Sequence, residues 1–232
     1  MSESRAEQRR PLRFRDRAQA GRLLAERLEA HSGDPSLLVL GLPRGGVPVA
    51  FEVAQALGAP LDVLVVRKLG VPGHEELAMG ALASGGMRVL NQEVVLGLGI
   101  GEETIARAVA AEQAELDRRE RAYRGERGPI EVAGRTVVVV DDGLATGSTM
   151  LAAVRALRAQ RPRRLIAAVP VAAQETCDRL RPEVDELVCA STPEPFHAVG
   201  LWYDDFAPTS DAEVRELLER SREGRGGRAG AG

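Results

Sequence analysis

Thr136-Val137-Val138-Val139-Val140-Asp141-Asp142-Gly143-Leu144-Ala145-Thr146-Gly147-Ser148-Thr149-Met150 is the stretch on which the rest of the chain turns. Four consecutive valines leave no polar side to face water, so they form a strand buried on both faces. Two acids end it, and a helix restarts at Ser148. Gly143 and Gly147 permit the sharp turns that aim successive N–H groups inward, and the helix N-terminus adds unpaired donors and its positive dipole end. With the hydroxyls of Thr146, Ser148 and Thr149, this is a cradle for a phosphate. Asp141 and Asp142 repel that anion but can accept hydrogen bonds from vicinal hydroxyls, and a phosphate beside a diol describes a ribose 5-phosphate. The competing reading, a hairpin turn at Asp142-Gly143 with a Ser/Thr helix cap, lacks an antiparallel partner strand downstream. No Walker lysine follows Gly147, and Gly97, Gly99 and Gly101 lack the spacing of a dinucleotide fingerprint.

Outward from this segment, apolar runs alternate with helical patterns. Strands are expected at Ser36 to Leu42, Leu61 to Val66, Met87 to Leu90, Leu165 to Val171 and Glu186 to Ala190. Helices are expected from Asp16, closed by Gly33-Asp34-Pro35, and over Val47 to Leu57, Glu102 to Tyr123, Ser148 to Gln160, Gln174 to Leu180 and Asp211 to Arg220. Fully apolar strands separated by helices imply an α/β fold, a doubly wound, mostly parallel sheet covered on both faces. Ligands bind such sheets where the carboxyl ends of strands meet helix N-termini.

The 232 residues are 44% hydrophobic and 28% charged, with a net charge of -3. That suits a globular chain and excludes a disordered or disulfide-stapled one. Arginine supplies the basic residues almost alone, Lys68 being the single lysine, and the slightly acidic balance offers no general field for nucleic acid. Cys177 and Cys189 lack metal-ligand spacing and read as small buried hydrophobes. No apolar run approaches the ~18 residues of a membrane span, and the early residues carry Arg and Glu rather than a signal-peptide core. A cytoplasmic protein is the expectation, with a flexible arm over residues 1–13, one domain over 14–222 and a disordered tail over 223–232.

The segment Val137 to Thr149 resembles the defining loop of the type I phosphoribosyltransferases, and VVVVDDGLATGST is similar to the version in adenine phosphoribosyltransferases. The resemblance extends from Ser36 to Phe206. It implies binding of 5-phosphoribosyl 1-pyrophosphate (PRPP) through Asp141, Asp142, Ala145, Thr146, Gly147, Ser148 and Thr149. Leu42-Pro43-Arg44-Gly45-Gly46 occupies the position of the family's pyrophosphate loop, often built on a strained or cis non-proline peptide. Arg44 is a fork donor for phosphate oxygens, and Gly45 and Gly46 allow close backbone approach. Arg67-Lys68 resembles the pair that opens the family's mobile catalytic loop, and Gly70, Pro72 and Gly73 make the following segment hinge-like.

Phe196-His197-Ala198-Val199-Gly200-Leu201-Trp202-Tyr203-Asp204-Asp205-Phe206 is similar to the hood strand that covers the acceptor in hypoxanthine-guanine enzymes. Val199, Gly200 and Asp204 match its spacing. Either Phe196 or His197 is then the stacking residue, and Trp202 is a further acceptor contact unless these aromatics only fill a core. A small hood from C-terminal and N-terminal segments, near 191–210, is expected. Where hypoxanthine-guanine enzymes carry a loop acid, Ala145 stands, so a base would come from Glu76 or Glu75.

The resemblance further implies Mg²⁺ held by pyrophosphate and ribose oxygens plus waters, with Asp141 and Asp142 as indirect partners, and a homodimer using the Glu102 to Tyr123 helix. Three functions remain open: transfer of phosphoribosyl to a planar, nucleobase-like acceptor, PRPP sensing without catalysis, and PRPP hydrolysis. No partner nucleic acid or membrane is expected.

Overall fold

A computed structural model describes residues 12–229, without the side chains of Glu75, Glu76 and residues 225–229. Helix α1 (Arg17–Arg27) begins where the Asp16 carboxylate accepts the Gln19 N–H at 2.7 Å. After a 3-10 turn at Glu29–His31 come strand β1 (Leu37–Gly41), buried throughout, and helix α2 (Gly46–Leu57), closed by Gly58 in the left-handed conformation. Next are β2 (Leu61–Val63), β3 (Val66–Val71), β4 (His74–Ala83), β5 (Met87–Leu90), α3 (Gln92–Gly97) and the long α4 (Glu102–Arg124). The chain continues through β6 (Thr136–Val140), α5 (Ser148–Ala159), β7 (Arg164–Val171), α6 (Gln174–Leu180), β8 (Glu186–Ser191) and α7 (Asp211–Ala229).

Five strands form one parallel sheet in the order β2-β1-β6-β7-β8. The valine run shows why both faces are covered. Val138 and Val140 join Leu24, Val49, Val53, Leu116 and Leu218 in a core shared with α1, α2, α4 and α7. Val137 and Val139 face the other way, among Met150, Val154, Leu157, Cys177 and Leu180 of α5 and α6. Two-residue alternation thus splits one apolar strand between two helix layers, and the doubly wound α/β expectation holds.

The structure departs from the sequence reading after β2 and at the C-terminus. The run Leu61 to Val66 is not one strand: β2 ends at Val63, and Val66 opens a separate antiparallel sheet in the order β3-β4-β5. The hinge-like segment is therefore a hairpin whose Pro72-Gly73 turn joins Val71 to His74, with Gly73 at a φ of +79°. At the C-terminus, α7 passes the expected limit of Arg220 and reaches Ala229, overlapping the expected tail, while 230–232 lie outside the described residues. The arm expectation falls almost wholly on residues 1–11, also outside them.

Arg124 fastens α4 to β2. Its side chain is 4% exposed, and its guanidinium grips both Asp62 oxygens at 3.1 and 3.2 Å, Glu120 at 2.9 Å and the Gly128 carbonyl at 2.7 Å. Both cysteines are free thiols. Among the described residues no helix is long and apolar enough to cross a membrane.

Candidate functional site

The turn from β6 into α5 is held rigid from behind and left open in front. Leu144 is stitched to the end of β7, donating to the Val171 carbonyl at 2.9 Å and accepting from the Ala173 N–H at 3.1 Å. From α6, the Thr176 hydroxyl donates to the Ala145 carbonyl at 2.5 Å and Arg179 donates to the Thr146 carbonyl at 2.6 Å. Gly147 has a φ of +67°, and a Cβ there would lie 2.5 Å from the Thr176 methyl, so only glycine fits. Ala145, Thr146 and Thr149 are exposed, and the Thr146 and Ser148 hydroxyls are 3.3 Å apart. Gly147 brings no capping side chain, which leaves the first-turn N–H groups of α5 for an anion.

Asp141 and Asp142 follow the strand directly. The Asp142 N–H donates to Asp141 Oδ1 at 2.9 Å. Part of Asp141 stays accessible, yet its carboxyl lies deep among protein atoms. Burial, then the neighbouring Asp142 charge, push its pKa well above the usual carboxylate range. Burial also raises Asp142, opposed by a cation the sequence reading missed: Arg17 donates through Nε to Asp142 Oδ2 at 2.9 Å.

The loop Leu42 to Gly46 leaves β1 beside this turn because β1 and β6 are paired neighbours. A Cβ on Gly45 would sit 2.0 Å from Asp142 Oδ2, and one on Gly46 would sit 2.6 Å from the Val140 carbonyl oxygen. Both glycines are required by close approach between the two loops. The Pro43–Arg44 peptide is cis, and the Arg44 side chain is exposed, with no hydrogen-bond or ion-pair partner among the described residues.

Strand geometry separates Arg67 from Lys68. Lys68 pairs across β4 with Ala81, and together with Val89 it lines a cavity of about 140 Å³ against Ser148, Leu151 and Arg155 of α5. Arg67 pairs with Leu82 on the opposite face and is held by Glu112 of α4 at 2.7 Å. The two side chains thus stand on opposite faces of the antiparallel sheet. Glu75 and Glu76 lie in β4, with side chains outside the description.

The hood is not a strand. Val199–Trp202 form a 3-10 turn tied to the N-terminal segment: Phe14 N–H donates to the Trp202 carbonyl and Asp204 N–H to the Phe14 carbonyl, both at 2.8 Å. Phe14, Tyr203 and Phe206 stack in series at 5.4 and 5.0 Å. Val199 closes over Gly143, whose hypothetical Cβ would be 2.5 Å from Cγ1. Phe196 and Trp202 are half-buried against this cluster, and the Trp202 indole N–H is buried without a partner among the described residues. His197 is exposed, and Asp204 is held by Arg13 in an exposed pair at 2.6 Å. Tyr203 reaches the β6–α5 turn, its hydroxyl donating to the Asp142 carbonyl at 2.6 Å. Arg17 meets the hood too, lying 4.0 Å over the Phe206 ring and donating to the Ala207 carbonyl at 2.7 Å. Nothing in the spacing of the sequence singles out Arg17, Tyr203, Phe206, Thr176 or Arg179.

Among the described residues no group of three or more His, Cys, Asp or Glu side chains could hold a metal ion. Mg²⁺ is commonly bound by one or two carboxylates plus substrate phosphates and water. Two adjacent carboxylates, one of them already engaged by Arg17, fit that outer role.

Residues 15–201 match the family described as Phosphoribosyl transferase domain. "Putative phosphoribosyl transferase Rv0571c" of Mycobacterium tuberculosis is 49% identical over 208 residues, covering 90% of this chain and 47% of that protein. The chain thus spans about half the length of the curated relatives it first matches. A ribose-phosphate pyrophosphokinase of Methanopyrus kandleri is 33% identical over 181 residues, 67% of this chain and 62% of that protein. The crystal structure of TT1426 from Thermus thermophilus is 44% identical with a TM-score of 0.81, over 90% of this chain and 98% of that one.

Proposed function

The chain belongs to the phosphoribosyl transferase family, and from that premise we propose that it transfers the 5-phosphoribosyl group of PRPP to a planar, nitrogenous acceptor and releases pyrophosphate. The carrying observation is the rigid β6–α5 turn, whose open N–H groups lie beside two carboxylates and the Gly45-Gly46 loop. In the reaction, the C1–oxygen bond to pyrophosphate breaks, its electron pair leaves with the oxygen, and the acceptor nitrogen bonds to C1 and loses its proton. The α5 turn, with Thr146, Ser148 and Thr149, holds the 5-phosphate. Asp141 and Asp142 accept hydrogen bonds from the ribose hydroxyls. Arg44 and the backbone at Gly45 and Gly46 hold the leaving pyrophosphate. Bound with the donor, Mg²⁺ supplies neutralisation of the departing charge. Lys68, facing α5, adds a cation on the 5-phosphate side, and Glu76 or Glu75 takes the acceptor proton. Under this reading the active form is a cytoplasmic homodimer.

The hood favours a second reading, hydrolysis, on one specific point: His197 is exposed and Leu201 is 59% exposed, so water has access beside the acceptor position. Pyrophosphate release from PRPP and Mg²⁺ separates the readings when measured with and without pooled purines, pyrimidines, nicotinate and anthranilate, using Asp141→Asn as the blank. Acceptor-dependent release lost in the variant supports transfer, and splitting the pool names the acceptor. Acceptor-independent release supports hydrolysis. Binding of PRPP without release turns the reading to a sensor.

A further inference from the structure

We propose that Arg17 is a positioning residue that selects which oxygen of Asp142 faces the sugar and thereby links the hood to the donor site; this rests on the phosphoribosyl reading above. Arg17 is the first residue of α1, far from the donor loop in sequence, and its side chain is only 12% exposed. Three constraints fix its planar group. Its Nε edge holds Asp142 Oδ2 at 2.9 Å, a terminal nitrogen holds the Ala207 carbonyl at 2.7 Å, and its face lies on Phe206 at 4.0 Å. A lysine ammonium cannot meet an edge, a carbonyl and a ring face together.

Asp142 is correspondingly immobilised. Its N–H is used by Asp141, its carbonyl by Tyr203, and Oδ2 by Arg17 with Gly45 packed beside it. Oδ1 has no hydrogen bond to another described residue, so it is the oxygen left to accept from a ribose hydroxyl. Without Arg17 the carboxylate would lose its orientation, and discrimination for the hydroxyl would go with it, because an unmet buried acceptor is what penalises a sugar lacking that group.

The same guanidinium reads the hood. Phe206 and Ala207 hold two of its sides, so anything that seats the hood more firmly seats Arg17 and Asp142 more firmly. By linkage, acceptor and donor must then strengthen each other's binding equally.

The test compares ribose 5-phosphate with 2-deoxyribose 5-phosphate and inorganic phosphate by calorimetric titration of the full chain and of Arg17→Gln, Arg17→Lys and Phe206→Leu. The wild type is expected to prefer ribose 5-phosphate over its deoxy analogue by about tenfold or more, the value of one charge-assisted hydrogen bond. Arg17→Gln is expected to collapse that preference to within about twofold while phosphate binding stays unchanged, with Arg17→Lys failing to restore it. Phe206→Leu keeps the ion pair and is expected to reduce the preference about threefold, which tests the link should Arg17→Gln fail to fold. A preference kept intact in the Arg17 and Phe206 variants, with all three ligands weakened alike, would show a merely structural ion pair and overturn the proposal. Failure of the wild type to bind any sugar phosphate would instead remove the functional reading beneath it.

Discussion

Arg67 and Lys68 are adjacent in β3 and stand on opposite faces of the antiparallel sheet, Arg67 paired with Glu112 of α4 at 2.7 Å and Lys68 facing the first turn of α5. Side chains alternate along a strand, so a consecutive basic pair cannot serve one phosphate from within it. Lys68→Met should lower kcat/KM for PRPP by roughly tenfold to a hundredfold, the range of a lost charge-assisted hydrogen bond. Arg67→Met should stay within about threefold of wild type, since half-exposed ion pairs contribute little. Pyrophosphate-release kinetics on both variants check this, and equal losses would contradict the division of roles.

Gly45→Ala should disable the donor site. The added methyl would lie 2.0 Å from Asp142 Oδ2, against which Arg17 already presses. Overpacking of this kind costs about 1–3 kcal/mol, and the expected result is a lowered Tm together with loss of PRPP binding. Gly128→Ala meets nothing within 4 Å and serves as the control, expected within about 0.5 kcal/mol of wild type.

Asp141→Asn should abolish turnover and make the fold more resistant at neutral pH. A carboxyl whose pKa is raised on folding, as burial and Asp142 raise Asp141, holds its proton more tightly in the native state. Its stabilising contribution is complete below the unfolded value of about 3.9 and is lost as pH rises through the raised folded value. The Tm advantage of the variant should therefore be absent below about pH 4 and grow toward neutrality. Retained activity with an unchanged Tm would remove Asp141 from the site.

Arg124→Met should cost about 1–3 kcal/mol in chemical denaturation, because it strips the part-buried Asp62 carboxylate of its bidentate partner and leaves it Arg127 at 3.8 Å and the Val63 N–H at 2.8 Å. Adding Asp62→Asn should recover part of that loss. Donor affinity of the folded fraction should remain near wild type, since Asp62 and Arg124 fasten α4 to β2 below the site.

The parallel sheet was legible because its central strands β1, β6 and β7 are apolar runs that no surface element tolerates, and Gln174–Leu180 was readable to its ends. The donor turn was legible for a different reason: Gly143 and Gly147 are demanded by contacts with Val199 and Thr176, and such demands leave a fixed pattern in the chain. The antiparallel sheet escaped because Gly70, Pro72 and Gly73 suggested a hinge, although Pro-Gly between Val71 and His74 is also a hairpin turn signal. Arg17 escaped because a contact with Asp142 across most of the chain leaves no local trace, and arginine is too abundant for one to stand out. Val199, Gly200 and Asp204 matched a hood strand by spacing, but Val199–Trp202 coil into a 3-10 turn so that Tyr203 reaches the Asp142 carbonyl.

The pairing of β1 with β6, Leu37 beside Thr136 and Gly41 beside Val140, also governs how the molecule is born. While the ribosome is still adding α4, β1 has only β2 to lean on, and the β3–β4–β5 meander is the one sheet whose strands are all local neighbours. Contacts so distant along the chain close slowly. The Leu42 to Gly46 loop leaves β1 and the β6–α5 turn leaves β6, so the two halves of the candidate site come into existence in that same late closure. On the proposed reading, a donor that bridges them stabilises only the closed chain, so the late pairing of β1 with β6 and the binding of donor draw on the same free energy.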